Sequence, residues 1–169
     1  MKISIIGYSG SGKSTLARKL GETYGVDVLH LDTVQFKPDW EIREPEEKKK
    51  ITEDFLNSHD AWVIDGNYSK LWFERRMEES DKIILLLFNR VSCLARVCKR
   101  FRKYRNTTRP DIAAGCTEKI DREFILWVLH GGRTKKVRAK YREVISQYPE
   151  KIVVIKNQRQ LSAFMKTYE

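Results

Sequence analysis

The sequence predicts a three-layer α/β sandwich, a five-stranded parallel sheet with helices on both faces. Three observations carry this expectation. Short apolar runs recur along the chain, at Ile3 to Ile6, Val26 to Leu31, Ala61 to Ile64, Ile83 to Phe88 and Ile152 to Ile155. They are rich in Val, Ile and Leu and do not alternate with polar residues, the pattern of strands buried on both faces. Segments with helical spacing separate them, as a parallel sheet requires.

The helical segments follow in chain order. Leu16, Leu20 and Tyr24 stripe the first, after strand one. Ile51 and Phe55 mark a second, opened by Pro45, whose fixed φ suits a first helical turn. A basic helix carrying Arg96 and Arg100 follows strand four; Ile120, Phe124, Trp127 and Val128 stripe the next, then Val137, Tyr141, Val144 and Tyr148, and finally Leu161, Phe164 and Met165. Such aromatic stripes are read as core. Thr107 to Gly115, with Pro110 and Asp111 inside it, reads as an irregular, mobile loop.

With 169 residues, 41% of them hydrophobic and 33% charged, the chain has the size and apolar content of one compact domain spanning residues 1–169. The longest apolar run, Ile83 to Phe88, is six residues, far below the roughly 20 that cross a bilayer. The amino terminus shows no cleavable signal pattern, so a soluble cytoplasmic protein is expected, with no membrane partner. Cys93, Cys98 and Cys116 form no C-x-x-C pair, and His30, His59 and His130 are scattered, which argues for reduced thiols and against zinc. The net charge of +10 is uneven: residues 1–80 hold 12 Lys/Arg against 15 Asp/Glu, and residues 81–169 hold 21 against 8. Two clusters dominate the second half, Arg96 to Arg109 and Arg133 to Arg142. Either nucleic acid or a nucleoside triphosphate would suit them.

Gly7-Tyr8-Ser9-Gly10-Ser11-Gly12-Lys13-Ser14-Thr15 satisfies G-x-x-x-x-G-K-[ST] between a strand and a helix. The glycines let backbone N–H groups turn inward around phosphates, and the new helix adds the positive end of its dipole. Lys13 is expected to reach the β- and γ-phosphates of ATP, and Ser14 to ligate Mg²⁺. A dinucleotide loop is excluded by spacing, since Gly7, Gly10 and Gly12 run in the wrong order for G-x-G-x-x-G.

In parallel sheets ligands sit beyond the carboxyl ends of the strands. Asp65 ends the apolar run Ala61 to Ile64 and is expected to hold Mg²⁺ with Ser14. Asp32 is read as ending strand two, where it would orient an acceptor hydroxyl. Arg96, Arg100 and Arg109 are candidates to stabilise the transferring phosphoryl group, and Arg75 and Arg76 weaker candidates to clamp an acceptor anion. Two functions compete. One is ATP- and Mg²⁺-dependent phosphoryl transfer to a small-molecule acceptor. The other is a DNA-associated, nucleotide-dependent switch whose basic second half, including Lys99, Arg102 and Lys103, lies on the phosphate backbone.

The order of these motifs resembles the adenylate-kinase-like P-loop kinases, and the likeness runs from Lys2 to about Phe164. More narrowly, His30-Leu31-Asp32 with Pro38-x-Trp40, Asp65-Gly66-Asn67-Tyr68, Arg105-x-x-x-Arg109-Pro110-Asp111 and Gly115-Cys116-x-Glu118 resemble the group of DNA topology modulation proteins related to FlaR. The resemblance implies strand order 2-3-1-4-5, an arginine-rich lid around residues 100–118, an acceptor-binding segment between strands two and three, and Asn157-Gln158 near the adenine. It does not extend to AMP as acceptor. The turn after Gly66 reads Asn67-Tyr68 where adenylate kinases have Phe-Pro-Arg, which removes the arginine that grips the acceptor phosphate.

Overall fold

The computed structural model describes residues 1–105, 107–109, 111–117 and 120–167. Five parallel strands, β1 (Lys2–Gly7), β2 (Asp27–His30), β3 (Trp62–Asp65), β4 (Lys82–Leu86) and β5 (Ile152–Ile155), form one sheet in the order β2-β3-β1-β4-β5. Eight α-helices are seen among the described residues: α1 (Lys13–Tyr24), α2 (Leu31–Gln35), α3 (Pro45–Ser58), α4 (Phe73–Glu79), α5 (Arg90–Tyr104), α6 (Arg122–Leu129), α7 (Lys135–Gln147) and α8 (Gln158–Lys166). None is long and apolar enough to cross a membrane.

Burial follows strand position. Nearly every residue of the inner strands β1, β3 and β4 is buried, whereas the edge strands β2 and β5 are mostly half-buried. Two apolar clusters result. The larger joins Ile3, Ile5, Ile84 and Leu86 to Leu20, Met77, Val97 and Val144; the smaller gathers Leu31, Val34, Leu56, Trp62 and Ile64. Each large side chain buried this way contributes roughly 1.5–3 kcal/mol. The basic helix α7 meets α4 through one of its lysines: Lys140 Nζ stands 3.5 Å over the Phe73 ring and donates to Ser69 Oγ at 2.7 Å.

Several boundaries differ from expectation. Strand two ends at His30, so Leu31 and Asp32 open helix α2 instead of closing the strand. Its five residues, like the seven of α4, are too short to show a helical period. Ile120 lies before α6, whose start is set by Asp121, the side chain of which accepts from Phe124 N–H at 2.7 Å. Tyr148 is the residue that ends α7. Of the motif residues, Pro110 and Glu118 lie outside the described residues.

Candidate phosphate-binding site

The loop from Gly7 to Gly12 joins β1 to α1 and is tied down from several sides. Its first residue is clipped by Asn67, whose Oδ1 accepts from Gly7 N–H at 3.0 Å and whose Nδ2 donates to the Gly7 carbonyl at 2.7 Å. Gly10, at φ 76°, presses so closely on α5 that a Cβ there would sit 2.7 Å from the Cys93 carbonyl oxygen. Ser9 Oγ accepts from the indole N–H of Trp127 at 3.2 Å, which brings α6 onto the loop. Tyr8 points into the core, edge-on to Tyr141 and 3.8 Å beneath the Arg133 guanidinium. Ser11 is fully buried.

Helix α1 starts differently from the helices that follow β4. Asn89, Asp121, Thr134 and Asn157 each accept a backbone N–H at the start of α5, α6, α7 and α8. At α1 the corresponding residue is Gly12, with no side chain, and no acidic residue stands in the first turn. Its first N–H groups therefore suit an external anion. Lys13 folds back, its Nζ donating to the Tyr8 carbonyl at 3.0 Å. Burial pushes the Lys13 ammonium below its ordinary pKa, against the pull of Asp65 and Asp32.

At the carboxyl ends of the strands, Ser14 Oγ donates to Asp65 Oδ2 at 2.8 Å. A hydroxyl and a carboxylate placed together are the hard oxygen donors that Mg²⁺ takes, so these two residues fit the metal expected there. His30 and Asp65 are register partners at the ends of β2 and β3, and His30 Nδ1 meets Asp65 Oδ1 in a short contact. Burial opposes charge on the imidazole, yet the hydrogen bond and the surrounding carboxylates outweigh it and raise its pKa.

At the start of α2, Asp32 takes the Tyr68 hydroxyl on Oδ1 at 2.8 Å and Arg109 Nη2 at 3.5 Å on Oδ2. Arg109 also reaches Asp111 at 3.3 Å and is 7% exposed. Burial, with Asp32 alongside, pushes the Tyr68 hydroxyl well above its ordinary pKa. The segment that supplies Arg109 rests on the turn after α2. Thr108 bridges Thr117, Trp40 Nε1 donates to the Thr117 carbonyl at 3.1 Å, and Cys116 Sγ lies 3.2 Å from the Lys37 carbonyl. Asp39 and Trp40 both adopt positive φ there, 60° and 65°.

Lys13, Ser14, Asp65, Asp32 and Arg109 thus gather in one cluster. Arg100 is near enough for its charge to lower the Lys13 pKa, and its guanidinium lies 5.9 Å from the Phe124 ring. Arg96 takes a different place, on the α8 side of the loop. It donates to the Ser11 carbonyl at 2.7 Å and to Gln158 Oε1, and stacks 4.2 Å over Phe88. Gly12, Thr15, Arg96 and Gln158 line a cavity of about 340 Å³ there, where adenine was expected. Asn157 is not in its wall; its side chain caps α8 by accepting from Gln160 N–H at 2.9 Å.

The two arginines after the Asp65 turn are structural. Arg76, fully buried, donates to the carbonyls of Leu71, Gly66 and Tyr68, and Arg75 is held by Glu79 and Asn57. Both are engaged within the chain, Arg76 in shaping the turn that presents Asn67 and Tyr68. His30, Asn67 and Tyr68 were read only as motif residues of the resemblance and Trp127 only as core, and none was given a role at the site. Only His30 carried a legible signal, since it and Asp65 end adjacent strands.

No family model matches the sequence, and no curated protein matches it. Solved structures do match. A deoxyadenosine kinase from M. mycoides with bound dATP superposes with a TM-score of 0.54 at 14% identity, over 99% of this chain and 98% of that one. A shikimate kinase from Bacteroides thetaiotaomicron gives 0.52 at 15%, over 99% and 95%. An uncharacterized protein from Eubacterium ventriosum ATCC 27560 gives 0.51 at 16%, over 99% and 97%. The chain therefore shares its overall fold with solved structures that include two kinases.

Proposed function

We propose that the chain is a phosphotransferase that moves the γ-phosphoryl group of ATP, with Mg²⁺, onto the hydroxyl of a small acceptor. The observation that carries this reading is the placing of two carboxylates on one side of the sheet: Asp65, which ends β3, on the Ser14 hydroxyl, and Asp32, at the start of the helix that follows β2, on Tyr68 and Arg109. The first pair suits a metal ion and the second an acceptor, a division of labour that phosphoryl transfer asks for. The fold shared with two kinases supports it.

In this reading the loop amides and Lys13 hold the phosphates, Ser14 and Asp65 hold Mg²⁺, and bound Mg²⁺ supplies charge neutralisation at the phosphate oxygens. The adenosine half occupies the cavity beside Arg96 and Gln158. Arg100 and Arg109 meet the charge that develops on the transferring group. Asp32 orients the acceptor hydroxyl and accepts its proton as the acceptor oxygen bonds to the γ-phosphorus. The bond from that phosphorus to its bridging oxygen breaks, and the electron pair leaves with ADP. The test is ADP release across a panel of acceptors. A sharp rise with one acceptor, lost in Lys13→Ala, is expected; a slow rate indifferent to acceptor would refute the reading.

A second reading, the DNA-associated switch, rests on one observation. Lys135, Arg138 and Arg142 line a cavity of about 460 Å³ with Tyr8 and Tyr141, and stay exposed with no carboxylate partner among the described residues. It requires duplex binding that weakens with salt and changes with bound nucleotide. Charge reversal at Lys99, Arg102 and Lys103 would abolish that binding and spare ATP binding; no binding at low salt would end the reading.

A further inference from the structure

The cations bordering Asp32 are already engaged, and this bears on what the acceptor can be. Arg109 spans Asp32 Oδ2 at 3.5 Å and Asp111 Oδ2 at 3.3 Å, so one guanidinium serves two carboxylates on the acceptor side. On the adjoining turn, Lys37 reaches Glu47 at 3.4 Å, and Arg43 bonds the same Glu47 and the Val34 carbonyl. Beneath the Asp65 turn, Arg76 is spent on three backbone carbonyls. Asp32 itself remains open, with 40% of its side chain exposed against 6% for Asp65 and 16% for Asp111.

A phosphate monoester or carboxylate brought to Asp32 meets like charge, with the nearby guanidinium already shared. A neutral hydroxyl meets an exposed carboxylate oxygen ready to accept its proton, and adds no charge. Resting on the phosphotransferase reading, we propose that the acceptor is an uncharged hydroxyl compound, a nucleoside or polyol, and not a phosphorylated or carboxylated one. Asp111 sets this preference by sharing the Arg109 guanidinium, which with Asp32 and the transferring phosphoryl group to serve has less charge to offer a second anion on the acceptor. The acceptor O–H proton passes to Asp32, the new P–O bond forms, and ADP carries off the electron pair of the broken one.

The test uses the full chain with ATP and Mg²⁺ and measures ADP release with matched pairs. Each ribo- and deoxyribonucleoside is set against its 5′-monophosphate, and myo-inositol and glucose against their monophosphates. At least one neutral member is expected to exceed its phosphorylated partner by 100-fold or more in kcat/KM. Asp111→Asn, by freeing Arg109, is expected to shift that ratio about tenfold toward the anion, which a purely structural role would not do. Phosphorylated members turned over as well as or better than neutral ones would overturn this inference and leave the phosphotransferase reading standing. No stimulation by any compound would overturn both. An Asp111→Asn ratio equal to wild type would overturn the role given to Asp111.

Discussion

Asn67 offers the most direct test of how the phosphate loop is held. It replaces nothing catalytic; its amide clips Gly7 by an N–H bond of 3.0 Å and a carbonyl bond of 2.7 Å. Each net hydrogen bond of this kind is worth about 1 kcal/mol. Asn67→Ala should therefore lose about 2 kcal/mol of stability, which for a chain of this size lowers Tm by roughly 4–8 °C. Urea unfolding followed by circular dichroism reads the loss, and calorimetric titration should show ATP binding weakened about tenfold, or 1.4 kcal/mol. Asn67→Asp is the sharper probe. An ionised carboxylate still accepts from Gly7 N–H but faces the Gly7 carbonyl with no proton to give. At neutral pH it should be no more stable than Asn67→Ala, and it should recover at acidic pH, where the protonated acid can donate. If Asn67→Ala lies within 0.5 kcal/mol of wild type, or Asn67→Asp matches wild type at neutral pH, the clip does not hold the loop.

Three further outcomes follow from buried or paired groups. Burial lowers the Arg76 pKa to about 10, which leaves it charged at neutral pH among its three carbonyls. Arg76→Met should cost about 3 kcal/mol in urea unfolding, and Arg76→Lys should not restore it because a point charge cannot span three acceptors; a cost under 1 kcal/mol would contradict this. For Glu79, partial burial opposes the charge, but Lys2 and Arg75 outweigh it and hold the carboxyl below its usual range. A lowered folded pKa means that the stabilisation is complete above the unfolded value of about 4.3 and fades as pH falls through the folded one. Glu79→Gln should accordingly lose about 0.5–1 kcal/mol at pH 7 and almost nothing at pH 2–3, while an equal loss at both would refute the assignment. Gly10→Ala would place a methyl 2.7 Å from the Cys93 carbonyl at a φ of 76°, so nucleotide affinity in calorimetry should fall at least tenfold; unchanged affinity would mean that α5 can retreat.

What the sequence disclosed, and what it hid, divides by distance along the chain. The strands were legible because burial on both faces leaves an unbroken apolar run, and the loop because its glycines, Lys13 and Ser14 are contiguous. Asp65 was legible as the polar end of an apolar run. Asp32 was seen but misplaced, since a five-residue helix straight after β2 has no period to announce it. The partners that give these residues their chemistry come from remote segments. Tyr68 is 36 positions from Asp32, Arg109 is 77, and Trp127 is 118 from Ser9. Nothing local to Trp127 distinguishes a core aromatic from one that reaches the phosphate loop. Arg76 misled in the opposite direction: beside a candidate acceptor site it read as a clamp, and only burial reveals that it serves backbone carbonyls.

The same division bears on the basic second half. Of the cations in its two clusters, Arg96, Arg100, Arg109, Arg133 and Lys140 are spent inside the molecule, on the Ser11 carbonyl, Phe124, Asp32, Tyr8 and Phe73. Lys99, Arg102, Lys103 and Arg105 on one side and Lys135, Lys136, Arg138 and Arg142 on the other stay exposed. Net charge counts all of these alike, yet only the exposed ones can displace counterions from a duplex. If every one of those eight met a phosphate, the salt slope of DNA binding would be about −7, against about −12 for all thirteen. A slope near zero would leave the surplus charge to the organic anions that the α7 cavity could take, and a slope beyond −7 would require cations besides these eight, such as the exposed Arg122, Lys156 and Arg159.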